Sequence, residues 1–139
     1  FLDYRVGAYM AANPATVTAD MSLGELRALF EARDFNGFPV VEAGKLSGFV
    51  TKIDFLKAFA FSPARMVPNY DELMARPVRD VMTTAVVSVE EEAPLTRALQ
   101  LMIELKARSF PVVDRAGALK GIIAREDIMR ALRDATKAA

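Results

Sequence analysis

Apolar positions along the chain fall into short compact runs and longer helical stripes, and the two kinds alternate. Thr16, Val17 and Thr18 form a short β-prone run. Leu23, Leu26, Leu29 and Phe30 follow at helical spacing, behind Ser22 and Glu25, which stand three apart as a capping box. Phe38-Pro39-Val40-Val41 is a compact apolar run, and Glu42-Ala43-Gly44-Lys45 turns the chain into Leu46 to Val50, which predicts a hairpin. Thr51 and Asp54 then open a second helical stretch carrying Phe55, Leu56, Ala58 and Phe59. The predicted order is strand, helix, strand, strand, helix. The same order returns with Val86 to Val89, a helix from Pro94 through Leu95, Ala98, Leu99, Met102 and Leu105, then Phe110 to Val113, Leu119 to Ile123, and a last helix through Ile128, Met129 and Leu132. Pro94 suits a first helical turn, where a missing N–H costs nothing. Gly44 and Gly117 read as turn residues.

This is a tandem duplication. At an offset of 72, identities fall at Val6/Val78, Met10/Met82, Val17/Val89, Leu23/Leu95 and along Phe38-Pro39-Val40-Val41 against Phe110-Pro111-Val112-Val113. After one inserted residue they continue at Gly44/Gly117, Leu46/Leu119, Gly48/Gly121, Asp54/Asp127 and Ala58/Ala131. Two copies of a unit too small to bury its own apolar face can share a core, which leaves two pseudo-equivalent clefts. The expected fold class is α+β: two pseudo-symmetric repeats, residues 5–60 and 77–135, packed through their sheets, with function at the seam. Residues 61–76 read as a linker broken by Pro63 and Pro68, and Pro77 follows it. Phe59, Phe61, Met66, Val67 and Leu73 make that region apolar, so part of it is expected to pack on the domain or on a partner subunit.

Composition narrows the functional classes. The chain has 139 residues, 53% of them hydrophobic, enough for one compact domain, and no stretch approaches the roughly 20 apolar residues of a membrane helix. Eighteen basic residues balance 18 acidic ones, which argues against the basic face that nucleic acid would need. Without Cys or His there are no disulfides, thiol nucleophiles or imidazole bases, and zinc sites are nearly excluded. A cytoplasmic setting is expected. The sequence begins at Phe1 rather than Met and shows no signal-peptide pattern. No catalytic nucleophile and base pair can be assembled, so no catalytic residues are assigned. Glu90-Glu91-Glu92 before Pro94 reads either as Mg²⁺ ligands arriving with a nucleotide or as a solvated run favouring a helix start; no metal site is assigned.

Taken together, Pro77-Val78-Arg79-Asp80-Val81-Met82, Phe110-Pro111-Val112-Val113-Asp114 and Gly121-Ile122-Ile123 ending in Asp127 resemble the cystathionine-β-synthase (CBS) domain family. The first copy matches it through Met10, Asn13-Pro14-Ala15-Thr16-Val17, Phe38-Pro39-Val40-Val41 and Gly48-Phe49-Val50-Thr51-Lys52-Ile53-Asp54. The whole resembles a CBS pair, or Bateman module, from about Arg5 to Leu132. The resemblance implies a regulatory sensor of energy or metabolite state, binding an adenosine-containing ligand (AMP, ADP, ATP or S-adenosylmethionine) in the cleft between repeats. No cofactor is required, and a homodimer is expected. The alternative is a CBS pair without a ligand, serving dimerisation or partner docking.

The family's ribose and phosphate motif is matched in full by Gly48, Thr51 and Asp54, with Lys52 alongside. The chemistry is sound: helix-start N–H groups face phosphate, a hydroxyl adds a hydrogen bond, and a carboxylate accepts ribose hydroxyls. Thr51 to Asp54 is equally a helix cap. The second copy departs from the pattern, with Ala124 at the hydroxyl position and Asp127 kept. Arg125 either contacts phosphate or is a solvated helix-start side chain. The resemblance implies composite sites. Site A joins Thr51, Lys52 and Asp54 to Val86, Val87, Ser88, Arg108, Ser109 and Phe110. Site B joins Arg125 and Asp127 to Ala15, Thr16, Val17, Asn36, Gly37 and Phe38. Val17, Val87, Phe38 and Phe110 either flank an adenine or belong to the core, and Arg108 either meets phosphate or complements a helix C-terminus.

Overall fold

The computed structural model describes residues 3–60 and 69–138. Phe61, Pro63, Met66, Val67 and Pro68 of the apolar linker lie outside them. The chain is α+β and divides into two compact units. One is built from the chain up to Pro14 together with Val87 onward, and the other from Ala15 to Val86. Each copy's leading segment therefore belongs to the unit formed by the body of the other copy.

In the discontinuous unit, a short helix α1 (Val6–Tyr9) leads into the two-residue strand β1 (Ala11–Ala12). Its other elements, numbered with the whole chain, are β4 (Val89–Glu90), α5 (Leu95–Leu105), β5 (Ser109–Val113), β6 (Leu119–Ala124) and α6 (Arg125–Ala138). The sheet runs β1-β6-β5-β4, with β4 parallel to β5 and the other pairs antiparallel. Val6, Leu95, Val112, Ile123 and Ala131 are wholly buried in its core. Lys106, at the end of α5, adopts a left-handed conformation (φ +53°) that turns the chain toward β5.

The contiguous unit holds α2 (Leu23–Ala32), β2 (Gly37–Glu42), β3 (Lys45–Thr51), α3 (Lys52–Lys57), α4 (Tyr70–Ala75) and a single 3-10 turn over Val78–Asp80. Ser22 caps α2 as its spacing predicts, its hydroxyl accepting the Glu25 N–H at 3.1 Å. The predicted hairpin is β2 antiparallel to β3, turned by Ala43 and Gly44, both at positive φ. Val17, Leu23, Leu26, Phe38, Val40, Val50 and Val78 fill the core.

The duplication survives down to single bridges. Val17 meets Val40 as Val89 meets Val112, and Phe49 meets Thr83 as Ile122 meets Ala11. Two predicted strands are shorter than expected. Of Thr16–Thr18 only Val17 pairs, through its N–H to Pro39 C=O and its C=O to Val41 N–H, and the two threonines beside it are exposed. In place of Val86–Val89 the strand is Val89–Glu90. The linker's C-terminal part is helical: α4 is capped by Asn69, and Arg76 C=O receives Leu23 N–H at 2.9 Å. Phe59 stacks on Tyr70 and packs on Phe55, so this part of the apolar stretch does cover its own unit.

Candidate functional site

Each unit carries one strand-to-helix junction, and the two junctions share a backbone design. At the first, β3 ends opposite Gly37, and Lys52 N–H donates to Asn36 C=O at 2.9 Å. Thr51 and Asp54 form a full capping box: Thr51 Oγ1 accepts Asp54 N–H at 3.1 Å, and Asp54 Oδ2 accepts Thr51 N–H at 2.9 Å. The helix-cap reading of this motif is thus realised, and it leaves the Thr51 hydroxyl hydrogen and Asp54 Oδ1 for another partner. Lys52 has no charged partner among the described residues.

At the second junction, β6 ends opposite Ser109, and Arg125 N–H donates to Arg108 C=O at 3.1 Å. Asp127 Oδ2 accepts Ala124 N–H at 2.8 Å, as Asp54 does for Thr51. The reciprocal bond is missing because Ala124 has no hydroxyl. The Arg125 guanidinium has an occupation that neither sequence reading named. Its Nε donates to Ala107 C=O at 3.1 Å, and a terminal nitrogen reaches Lys106 C=O at 3.5 Å, so it closes the carbonyl end of α5. Asp127 is buried, with its Oδ1 3.4 Å from a terminal nitrogen of Arg130.

The motif glycines are explained by packing. A Cβ on Gly121 would lie 2.6 Å from Ala11 C=O and 2.7 Å from Met10 Sδ. One on Gly48 would lie 2.8 Å from Thr83 C=O and 3.1 Å from Met82 Sδ. Met10 and Met82 are themselves equivalent, so each glycine makes room for the leading segment of the other copy.

The remaining candidates sort by unit. Thr16, Val17, Asn36, Gly37 and Phe38 share the contiguous unit with Thr51, Lys52, Asp54 and Val86; Val87, Ser88, Arg108, Ser109 and Phe110 share the discontinuous one with Arg125 and Asp127. Asn36 and Gly37 are brought against the helix start of their own copy, as are Arg108 and Ser109. The side chains of Val17, Phe38 and Phe110 are committed to the cores, so only their main chain can face a ligand; Val87 is 44% exposed. A cleft of about 320 Å³ is lined by Glu90, Glu91, Glu92, Asp114, Arg115 and Ala116, with Glu92 paired to Arg115 at 3.0 Å. Asp114 accepts the N–H groups of Ala118 and Ala116, bonds that hold its carboxyl below the usual aspartate range. Among the described residues no group of three His, Asp or Glu is disposed to hold a metal, and no helix is long and apolar enough to cross a membrane.

The chain matches the CBS domain family over residues 6–61 and again over 78–134. It is 31% identical over 144 aligned residues to an uncharacterised protein of Methanocaldococcus jannaschii, covering 99% of this chain but only 34% of that one. The chain therefore spans about a third of that relative's length. Its fold is similar to CBSX2 of Arabidopsis thaliana, solved in complex with AMP, at TM-score 0.79 and 28% identity over 96% of this chain and 98% of that one. It is also similar to the CBS domain pair of protein MJ0100, solved with 5′-methylthioadenosine and S-adenosylmethionine, at TM-score 0.72 and 25% identity over 93% and 99% of the two chains. Matched twice and almost end to end, the chain belongs to the CBS domain family as a tandem pair.

Proposed function

We propose that this chain is a regulatory module that senses energy or metabolite state by binding an adenosine-containing ligand, AMP, ADP, ATP or S-adenosylmethionine, and that it is not a catalyst. The observation that carries this reading is the pair of helix starts, each with a carboxylate anchored through one oxygen: Asp54 keeps the other for ribose hydroxyls, and Asp127 shares its other with Arg130. Thr51 and Lys52 add a hydroxyl and a cation at the first of them. The AMP complex of CBSX2 and the S-adenosylmethionine complex of MJ0100 support the ligand class. The module acts in the cytoplasm. Calorimetry with adenine nucleotides, guanine nucleotides and S-adenosylmethionine tests the reading. An adenine-selective dissociation constant of about 1–100 μM is expected, near −8 to −5.5 kcal/mol. Equal binding of guanine nucleotides would count against it.

A second reading, a platform for dimerisation or partner docking, is favoured by the apolar side chains left open on α3 and α6. Ile53 is 60%, Leu56 58% and Met129 66% exposed. Homodimerisation through these helices is compatible with both readings. Sedimentation of Leu56→Glu and Met129→Glu should give monomers if it holds, and flat calorimetry with every adenosine ligand would leave the platform reading in place.

A further inference from the structure

Asp127, unlike its equivalent Asp54, is wired to another part of its unit. Arg130 lies one helical turn after it, with a terminal nitrogen 3.4 Å from Asp127 Oδ1. That guanidinium also donates to Tyr9 C=O at 2.8 Å and lies over the Tyr9 ring, 5.5 Å from its centroid. Tyr9 ends α1, where carbonyls lack helical partners, so Arg130 closes the end of α1 from outside. Tyr9 is held a second time by its hydroxyl, which donates to Asp134 Oδ2 at 2.8 Å. One residue on, after Met10, comes β1, pairing with Ile122 and Gly121. The Gly121-to-Asp127 motif thus grips the leading segment at both ends, through the glycine's close approach and through the carboxylate's arginine.

The contiguous unit has the first grip and lacks the second. Met82 and Thr83 cover Gly48 there, but Lys57 stands at the position of Arg130 and Val81 at that of Tyr9.

We propose that Arg130 makes the leading segment a reporter of occupancy at Asp127. Asp127 Oδ2 already accepts Ala124 N–H, so ribose hydroxyls are received at the less occupied Oδ1, where they compete with the guanidinium, displace it and free the end of α1. This rests on reading Asp127 as a ribose acceptor. It gives the two helix starts different outputs, since occupancy at Asp54 has no such arginine to displace.

The test is hydrogen exchange of residues 6–12 with calorimetry alongside, on protein carrying Asp54→Asn so that the second site is seen alone. Arg130→Ala without ligand should raise exchange of residues 6–12 by about tenfold, the combined worth of an ion pair and one hydrogen bond. Saturating AMP should raise it in the Arg130 protein and add nothing in Arg130→Ala. Saturating 2′,3′-dideoxy-AMP, which lacks the diol, should bind without raising it. Unchanged exchange in ligand-free Arg130→Ala overturns the inference. So does AMP heat without any change at residues 6–12, or an equal response to the dideoxy nucleotide. Absence of heat with both AMP and S-adenosylmethionine overturns the adenosine reading and the coupling with it. The ligand-free comparison then shows whether Arg130 still holds the segment, which separates that failure from the others.

Discussion

Replacing Gly121 by Ala separates two explanations of the glycine that opens the motif. If the residue serves packing, the added methyl meets Ala11 C=O at 2.6 Å and Met10 Sδ at 2.7 Å, closer than carbon atoms tolerate. The sulfur can swing aside, but the carbonyl belongs to β1 and yields only if β1 leaves β6. That forfeits about two backbone hydrogen bonds at about 1 kcal/mol each, and any contact that remains adds overpacking of about 1–3 kcal/mol. A net loss of about 3 kcal/mol, or on the order of 10 °C in Tm for a chain of this size, is expected in urea and thermal unfolding. Met10→Ala in addition should recover only the sulfur's share. Gly44→Ala is the control: no atom lies within 4 Å of its Cβ, so its cost is confined to the positive φ of +80°, roughly 1–2 kcal/mol. If Gly121→Ala melts with the parent protein yet loses AMP binding, the glycine serves ligand approach and the packing argument fails.

The two helix starts should bind unequally. Ala124 lacks the hydroxyl of Thr51 and Arg125 is occupied at α5, so Asp54→Asn should remove more of the tight calorimetric signal than Asp127→Asn, and Ala124→Thr should strengthen the weaker event about two- to tenfold. The reverse order for the two Asp variants would overturn the ranking. Tyr9 should titrate late, because its hydroxyl bond to Asp134, aided by desolvation and that carboxylate's charge, raises it above the ordinary 10.0. The folded state then holds this proton more tightly than the unfolded chain, so the contribution to stability is full below pH 10.0 and fades as pH rises beyond it. Asp134→Ala should return the absorbance titration to normal, and an unchanged curve would discount the hydrogen bond. Val6→Ala, at a wholly buried position, should cost roughly 2–3 kcal/mol through lost burial and a residual cavity; a loss under about 1 kcal/mol in urea unfolding would show that α1 contributes little to the core.

The elements legible in the sequence were those whose signal is local. The hairpins announced themselves by apolar runs around a Gly turn, and the cap at Thr51 by hydroxyl and carboxylate three residues apart, both satisfied within a few residues in the structure. α1 and β1 escaped because four- and two-residue elements are too short to show periodicity, and their partner is a strand near the other end of the chain. The shrinkage of Thr16–Thr18 to one bridge likewise depends on what lies beside it. At the site, the paired aspartates were visible from the repeat itself. The commitments of Arg125 and Arg130 were not, since an arginine in a helix reads as solvated until the carbonyls of Ala107 and Tyr9 are brought beside it.

The exchange of leading segments also sets an order on the ribosome. The contiguous unit has all its strands once Val86 is clear. The other unit cannot seat β1 until β6 has been made, on the order of 110 residues later, or roughly 5–20 s at ordinary rates of synthesis. Throughout that interval Tyr4, Val6, Tyr9 and Met10 travel without the sheet that covers them in the finished protein. The residues leading into β1 are made well before β6 yet are among the last of this pair to find their place, which leaves them open to a chaperone or a protease while the rest is synthesised.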